Sequence, residues 1–282
     1  MRGIWCVGIS MPKRLCLLSK HPLAFQHTQL CATIPRMRTT VIIPARMGAT
    51  RFPNKPLVDI CGKPMIQWVY ERAMQAKLVS RVLVATCDQV IIDAVSSFGG
   101  EAVMTSDKHR SGTDRLAEAA ANLDCDVIVN VQGDEPLIDP SAIDRAIEPF
   151  AADKDLKMVS LMVPIDSESA KDPNLVKVVV GVDNNALYFS RSPIPYERKP
   201  LEGRSMYGHV GLYAYTKDFL LEFAAMKPTP LETAESLEQL RVLENGYRIK
   251  MVEIADRPLG VDTQEDLERV RKRVLSISKE KC

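Results

Sequence analysis

The sequence lacks several things at once, and each gap removes a class of function. None of its 282 residues falls in a run of the roughly 20 apolar residues that a membrane helix needs, and the apolar stretch Leu15 to Leu18 is short. No Cys-x-x-Cys pair occurs among the seven cysteines Cys6, Cys16, Cys31, Cys61, Cys87, Cys125 and Cys282. A zinc ribbon and a thioredoxin-type site are therefore not indicated. An odd number of widely spaced thiols fits packing roles in a reducing, cytoplasmic compartment. Net charge is nearly absent, at +1, so a general nucleic-acid binder with a strongly basic face is not expected. Neither G-x-x-x-x-G-K-[ST] nor G-x-G-x-x-G is present. Internal repeats and low-complexity tracts are missing too.

What remains is ordinary globular composition, 46% hydrophobic and 26% charged, in a chain long enough for a large core. Acid is missing from two places. Residues 1–38 carry Arg2, Lys13, Arg14, Lys20, Arg36 and Arg38 with no Asp or Glu. Three readings stay open for this extension: an Arg-rich transit peptide, a poorly ordered tail, or a start upstream of the true one, with Met37 just before the first strand. The last two are preferred. The second acid-free stretch is VIIPARMGATRFPNKP, residues 41–56, with Arg46, Arg51 and Lys55 among turn residues.

Short β-branched runs at 39–44, 81–86, 102–105 and 126–131 alternate with helical spacing at 64–76, 88–98, 112–123 and 141–150. That alternation implies βαβ units and a mostly parallel sheet. The pattern then changes. Residues 157–165, a hairpin over 177–190 turning at Asp183-Asn184-Asn185, and residues 209–216 read as strands. A helix is expected over 230–245, a strand over 247–254, and a last helix capped by Thr263 with Asp266 near the capping-box position. The expectation is an extension, 1–38, and one α/β domain, 39–282, with a β-rich lobe around 155–220.

Ligands of open α/β sheets bind beyond the carboxyl ends of strands. The cationic loop starts at such an end. Three cations and the backbone amides near Gly48 suit a triphosphate, since Arg presents a planar fork and Lys a point charge to phosphate oxygens. On charge spacing alone a solvated basic loop stays open. QGDEP places Asp134 and Glu135 just past a buried strand, and GVDT places Asp262 between a glycine and a helix start. Two carboxylates meeting at one sheet edge suit Mg²⁺, a hard ion that shares oxygen ligands with phosphates. A turn residue and a residue ahead of a helix are the plainer readings. Thr113 is the expected N-cap of the helix after Arg110, Ser111 and Gly112.

The string P-A-R-x-x-x-T-R-x-P-x-K-P resembles the start of the 3-deoxy-D-manno-octulosonate (Kdo) cytidylyltransferase family. SGTDRLAEA, VNVQGDEP, KVVV, ALYFSR, HVGLYAY, LEQLRVLENG and GVDTQEDLERVR follow in the family's order over about residues 39–275. Two departures stand out: Asn54 where many relatives have glycine, and Met47-Gly48 for a more usual aromatic-small pair. The resemblance implies CTP plus Kdo giving CMP-Kdo and pyrophosphate, with Mg²⁺, a Rossmann-like nucleotidyltransferase fold and a homodimer. A possible dimer interface is the strands near 160–215.

The same resemblance implies roles for particular residues. Asp134 and Asp262 would be the metal carboxylates. Arg46, Arg51 and Lys55 would embrace the triphosphate, with Arg46 and Lys55 steadying the leaving group. Arg110, Ser111, Gly112, Thr113 and Gln132 would line the cytidine pocket. Arg191 would face the sugar's carboxylate, and His209, Tyr213, Glu238 and Gln239 would complete the sugar site. His209, Gly211 and Tyr213 alternate onto one strand face. Another acid sugar, such as a sialic acid or 8-amino-Kdo, and a silent nucleotide-binding relative remain as alternatives.

Overall fold

Val41, Ile42 and Ile43 point alternately to the two faces of one strand, and all three are fully buried. A strand covered on both sides belongs inside a sheet with helices on each face. The structure, a computed structural model, describes residues 37–48, 52–109, 111–199 and 206–280. Residues 1–36 of the extension 1–38, with the three readings given for it, lie outside the described residues, as do Arg51 and Arg110.

β1 (Thr39–Ala45) leads through a small hairpin, β2 (Asp59–Ile60) and β3 (Lys63–Pro64), into α1 (Met65–Ala73). Then come β4 (Arg81–Thr86), α2 (Gln89–Ser97), β5 (Ala102–Met104), α3 (Gly112–Ala121), β6 (Val127–Asn130), α4 (Pro140–Ile147) and α5 (Pro149–Ala152). The second half holds β7 (Met158–Ile165), β8 (Lys177–Val180), β9 (Ala186–Ser190), β10 (Met206–Thr216), α6 (Lys217–Ala225), α7 (Pro230–Glu235), α8 (Gln239–Glu244), β11 (Lys250–Glu253) and α9 (Gln264–Glu280).

Among the described residues the main sheet runs β11-β7-β10-β6-β1-β4-β5. β1 pairs in parallel with both β4 and β6, and β11 with β7. β10 runs antiparallel to β6 and β7. This is the mixed, mostly parallel sheet flanked by helices that the sequence led us to expect. Val41 and Ile43 face Ile66 and Val69 of α1 and Ile143 of α4. Ile42 faces Leu116 of α3, Phe219 and Phe223 of α6, and Leu240 of α8.

Several expectations need correcting. Strands 158–165 and 206–216 are interior to the main sheet, so the β-rich stretch is continuous with it, and the β8–β9 hairpin stands off the main path. The helix over 230–245 is two helices, because Ser236 adopts a left-handed conformation (φ 51°, ψ 50°). Arg191 braces that break by donating to the carbonyls of Glu235 (2.9 Å) and Ser236 (3.5 Å). The helix over 217–225 was not read from the sequence, although Thr216 caps it by accepting from the Phe219 N–H. Asn54, at the departure from the family pattern, takes the left-handed backbone (φ 57°) that glycine would supply.

Candidate active site

The chain leaves β1 at Arg46, which is exposed and stands between two clefts. On one side a cavity of about 200 Å³ is lined by Pro44, Arg46, His109, Ser111, Gly112 and Arg115. On the other a cavity of about 180 Å³ is lined by Arg46, Lys55, Met65, Gln132, Gly133 and Asp134. Gly133 is required here, since a Cβ would lie 3.0 Å from the Pro44 carbonyl oxygen. The β6 loop can therefore press against the β1 loop and bring Asp134 to Lys55.

Lys55 joins the two carboxylates read from the sequence. Its Nζ donates to Asp134 Oδ2 at 2.6 Å and to Asp262 Oδ1 at 2.9 Å. Asp262 is 207 residues away in the chain. The Val261 N–H donates to the Asp134 carbonyl at 2.9 Å, which ties the GVDT segment to the β6 loop. Thr263 and Asp266 form a reciprocal cap, and the Asp262 N–H also donates to Asp266 Oδ2, which fixes the backbone that carries the Asp262 carboxylate.

The Lys55 side chain is 14% exposed, Asp134 36% and Asp262 73%, so the carboxylates stay open to an incoming ligand. Burial pushes the Lys55 ammonium down, but Asp134 and Asp262 outweigh it and hold its pKa above the ordinary lysine value. Beside them burial, and then the Asp134 charge, raise the Glu135 carboxyl to about 8, against the opposing pull of Arg257.

A metal fits this donor set. Two carboxylate oxygens already meet on a single positive charge. Among the described residues no group of three or more His, Cys, Asp or Glu is arranged to hold an ion by itself. The remaining ligands would have to come from water and phosphate, which suits a hard divalent cation bound with a nucleotide.

On the Arg46 side, Ser111 caps α3, not Thr113 as expected. The Asp114 N–H donates to Ser111 Oγ at 3.1 Å, and the Ser111 N–H donates to Asp114 Oδ2 at 3.2 Å. Ser111 holds the cap because it has the extended backbone of an N-cap, while Thr113 is already inside the helix. Thr113 instead donates its hydroxyl to Glu238 Oε2 at 2.6 Å. Gln132 donates from Nε2 to the Gly211 carbonyl at 3.1 Å. The guanidinium of buried Arg115 meets the Thr105 hydroxyl and the Cys87 sulfur.

The sugar-side residues cluster on β10. His209 is buried, with its ring 5.0 Å from Phe189 and 5.4 Å from Tyr213, centroid to centroid. β10 bulges between Val210 and Tyr213, which pair with adjacent residues Leu161 and Ser160 of β7. The excess is even, so His209 and Tyr213 keep a common face. Ser160 Oγ lies 2.8 Å from His209 Nε2 and 2.9 Å from the Leu212 carbonyl oxygen. A hydroxyl has one proton and a carbonyl can only accept. Ser160 therefore donates to Leu212 and accepts from His209 Nε2–H, which leaves Nδ1 as an acceptor. Burial, with Arg257 adding to it, lowers the His209 pKa to about 3, so the ring is neutral.

Glu238 opens α8, and Gln239 beside it is buried. Arg191 is differently engaged. Besides bracing Ser236 it donates from Nη1 to the Pro173 carbonyl at 3.1 Å. To face a ligand carboxylate it would have to exchange those bonds.

Comparison with known proteins follows the same lines. A family profile described as Cytidylyltransferase matches residues 40–251. A 3-deoxy-manno-octulosonate cytidylyltransferase of Geobacter metallireducens is 55% identical over 245 residues, which is 83% of this chain and 96% of the relative. One from Geotalea uraniireducens is 56% identical over 249 residues, covering 84% of this chain and 99% of the relative. The chain belongs to the 3-deoxy-manno-octulosonate cytidylyltransferase family. A solved structure, a CMP:2-keto-3-deoxy-manno-octonic acid synthetase complexed with CTP, is 45% identical and superposes with a TM-score of 0.82 over 85% of this chain and 99% of its own.

Some residues that build this cytidylyltransferase site escaped sequence reading. Ser160, inside an apolar strand, sets the His209 tautomer. Lys177 is fully buried and donates from Nζ to the carbonyls of Asp172 (2.9 Å) and Arg191. Arg241 is buried and paired with Glu232. The Ser160 contact spans 49 residues, and the Lys177 and Arg241 contacts depend on turns between elements, so a lone Ser, Lys or Arg gives no local sign of them.

Proposed function

We propose that the chain transfers CMP from CTP to Kdo and releases pyrophosphate, activating Kdo for lipopolysaccharide synthesis. The observation that carries the reading is the meeting of Asp134 and Asp262 on Lys55, beside Arg46, with the His209–Tyr213 cluster on the neighbouring strand. Family membership makes the chain a nucleotidyltransferase.

The geometry supports a division of labour. Arg46 and Lys55 receive the phosphates and offset the charge that grows on the leaving pyrophosphate. Lys55 supplies the positive charge between the carboxylates. Asp134 and Asp262 would hold a divalent ion, and Lys55 would then be free to face the phosphates. Mg²⁺ bound there would screen the phosphate charge and make the attacking hydroxyl more acidic. His209 Nδ1 accepts from a sugar hydroxyl, and Glu238 accepts from another. The anomeric hydroxyl gives up its proton to solvent, and its oxygen forms the bond to the α-phosphorus as the bond to the pyrophosphate oxygen breaks.

A cytoplasmic homodimer belongs to the same reading. No helix among the described residues is long and apolar enough to cross a membrane. Val182 at the β8–β9 turn, Leu187 on β9 and Tyr196 just beyond are 90%, 63% and 90% exposed, apolar side chains that a second copy would cover. Light scattering on the purified protein should return twice the chain mass.

The test of function is pyrophosphate release with CTP and Mg²⁺, using Kdo, 8-amino-Kdo and sialic acid as acceptors. Release with Kdo is expected. Release with another sugar alone would keep the phosphate and metal assignments and overturn the acceptor. CTP binding with no release would point to a silent relative.

A further inference from the structure

We propose that Thr113 is a positioning residue for the sugar acid and not a contact for cytidine. Its hydroxyl aims Glu238 and links the two substrate sites. The inference rests on the acceptor reading above.

Thr113 sits one residue from Gly112 and two from Ser111, both in the Arg46 cleft. Its own side chain points elsewhere. The residue is 2% exposed, and Oγ1 donates to Glu238 Oε2 at 2.6 Å across 125 residues of chain. A short bond to a carboxylate is charge-assisted and directional. The other oxygen, Glu238 Oε1, is buried without a hydrogen bond. Arg241 Nη2 comes no closer to it than 3.7 Å, because its guanidinium is bonded to Glu232. One carboxylate oxygen is thus fixed by α3, while the other keeps its acceptor capacity.

We place the free acceptor toward the sugar as part of the same proposal. Burial above all, and then the Glu238 charge, raise the hydroxyl pKa of Tyr213 on β10. A part-buried carboxylate with one oxygen free of hydrogen bonds matches a polyol hydroxyl. Through Thr113, any movement of α3 as nucleotide enters the Arg46 cleft is passed to that oxygen. Gln132, which lines the Lys55 cleft and donates to the Gly211 carbonyl, makes a second tie between the same two regions.

The test compares Thr113→Val, which keeps the shape and removes the donor, with Thr113→Ser, which restores it. Thr113→Ala serves if the valine variant does not fold. Two quantities are read: the Kd for CTP without sugar, by calorimetry, and the KM for Kdo at saturating CTP and Mg²⁺. T113V should raise the Kdo KM about tenfold, the usual scale for one charge-assisted bond. The CTP Kd should change by less than about twofold. T113S should return both to the wild-type values. In a Glu238→Gln background, T113V should add little. Equal losses in CTP Kd and Kdo KM would make Thr113 a nucleotide contact and overturn the proposal, as would an unchanged KM in T113V. Wild-type activity with Kdo is measured alongside. Its absence would overturn the functional reading, and this inference with it.

Discussion

The two halves of the site are built on opposite principles. Around Lys55 the groups are charged, partly exposed and balanced against one another. Around His209 they are neutral, buried and locked by hydrogen bonds. In the first region Asp134 and Asp262 are held by a lysine, whose place a divalent cation would take in the proposed reaction. In the second, Ser160 fixes one imidazole tautomer, and the ring meets Phe189 edge-on and Tyr213 at a tilt. An exchangeable charge cluster suits a ligand that brings its own ions. A rigid neutral surface suits a polyhydroxylated acceptor that must be held at one angle. Function should therefore dominate the consequences of mutation in the first region, and structure should share them in the second.

The largest expected effect breaks the charged half. Asp134→Ala and Asp262→Ala should each lower kcat/KM about a thousand-fold, because a metal's charge stabilisation amounts to several kcal/mol. Both side chains are partly or largely exposed, so unfolding free energy should move by no more than about 0.5 kcal/mol. Steady-state kinetics and chemical denaturation on the same preparations check both parts.

Lys55→Met sharpens the same point. Removing the ammonium should cost about a hundred-fold in kcat. It should also leave two carboxylates facing each other unbalanced, so Mn²⁺ should bind tighter without nucleotide than in the wild type. Weaker Mn²⁺ binding in K55M would show that the lysine is not holding a cation's place.

In the buried half, Ser160→Ala removes the acceptor for His209 Nε2–H and should cost about 1–3 kcal/mol of stability, read as a lower denaturation midpoint. An unchanged midpoint would mean that the hydroxyl is not fixing the ring.

The smallest effect is a pH dependence with a definite sign. His209 has a folded pKa near 3, below the ordinary value of about 6.5. The unfolded chain then binds more protons between those values, so stability is fully present above pH 6.5 and falls as pH drops toward 3. Between pH 7 and 5.5 this residue should account for about 1 kcal/mol. His209→Gln should flatten that part of the wild-type profile. Equal slopes in the two proteins would place the ring's charge in solvent.

Where local chemistry decided the outcome, the sequence was legible. The β-branched run at 81–86 is β4, and Thr263 with Asp266 does cap α9. QGDEP and GVDT announced carboxylates at turns, but nothing local says that Lys55 joins them, because the contacts span 79 and 207 residues. The break at Ser236 was hidden because serine is not a usual left-handed residue, and the bracing of its carbonyl by Arg191 comes from just past the end of β9. Thr113 could be read as a cap since Thr favours that position. Only the fold shows that Ser111 takes the role and frees Thr113 for Glu238.

The most direct test of the central claim is a Mn²⁺ titration in the presence of CTP, followed by electron paramagnetic resonance, for the wild type, Asp134→Asn and Asp262→Asn. If the two carboxylates jointly hold the ion that the nucleotide shares, each single substitution should weaken Mn²⁺ binding at least tenfold, the scale of one lost charge-assisted ligand. Wild-type affinity in either variant would contradict the account.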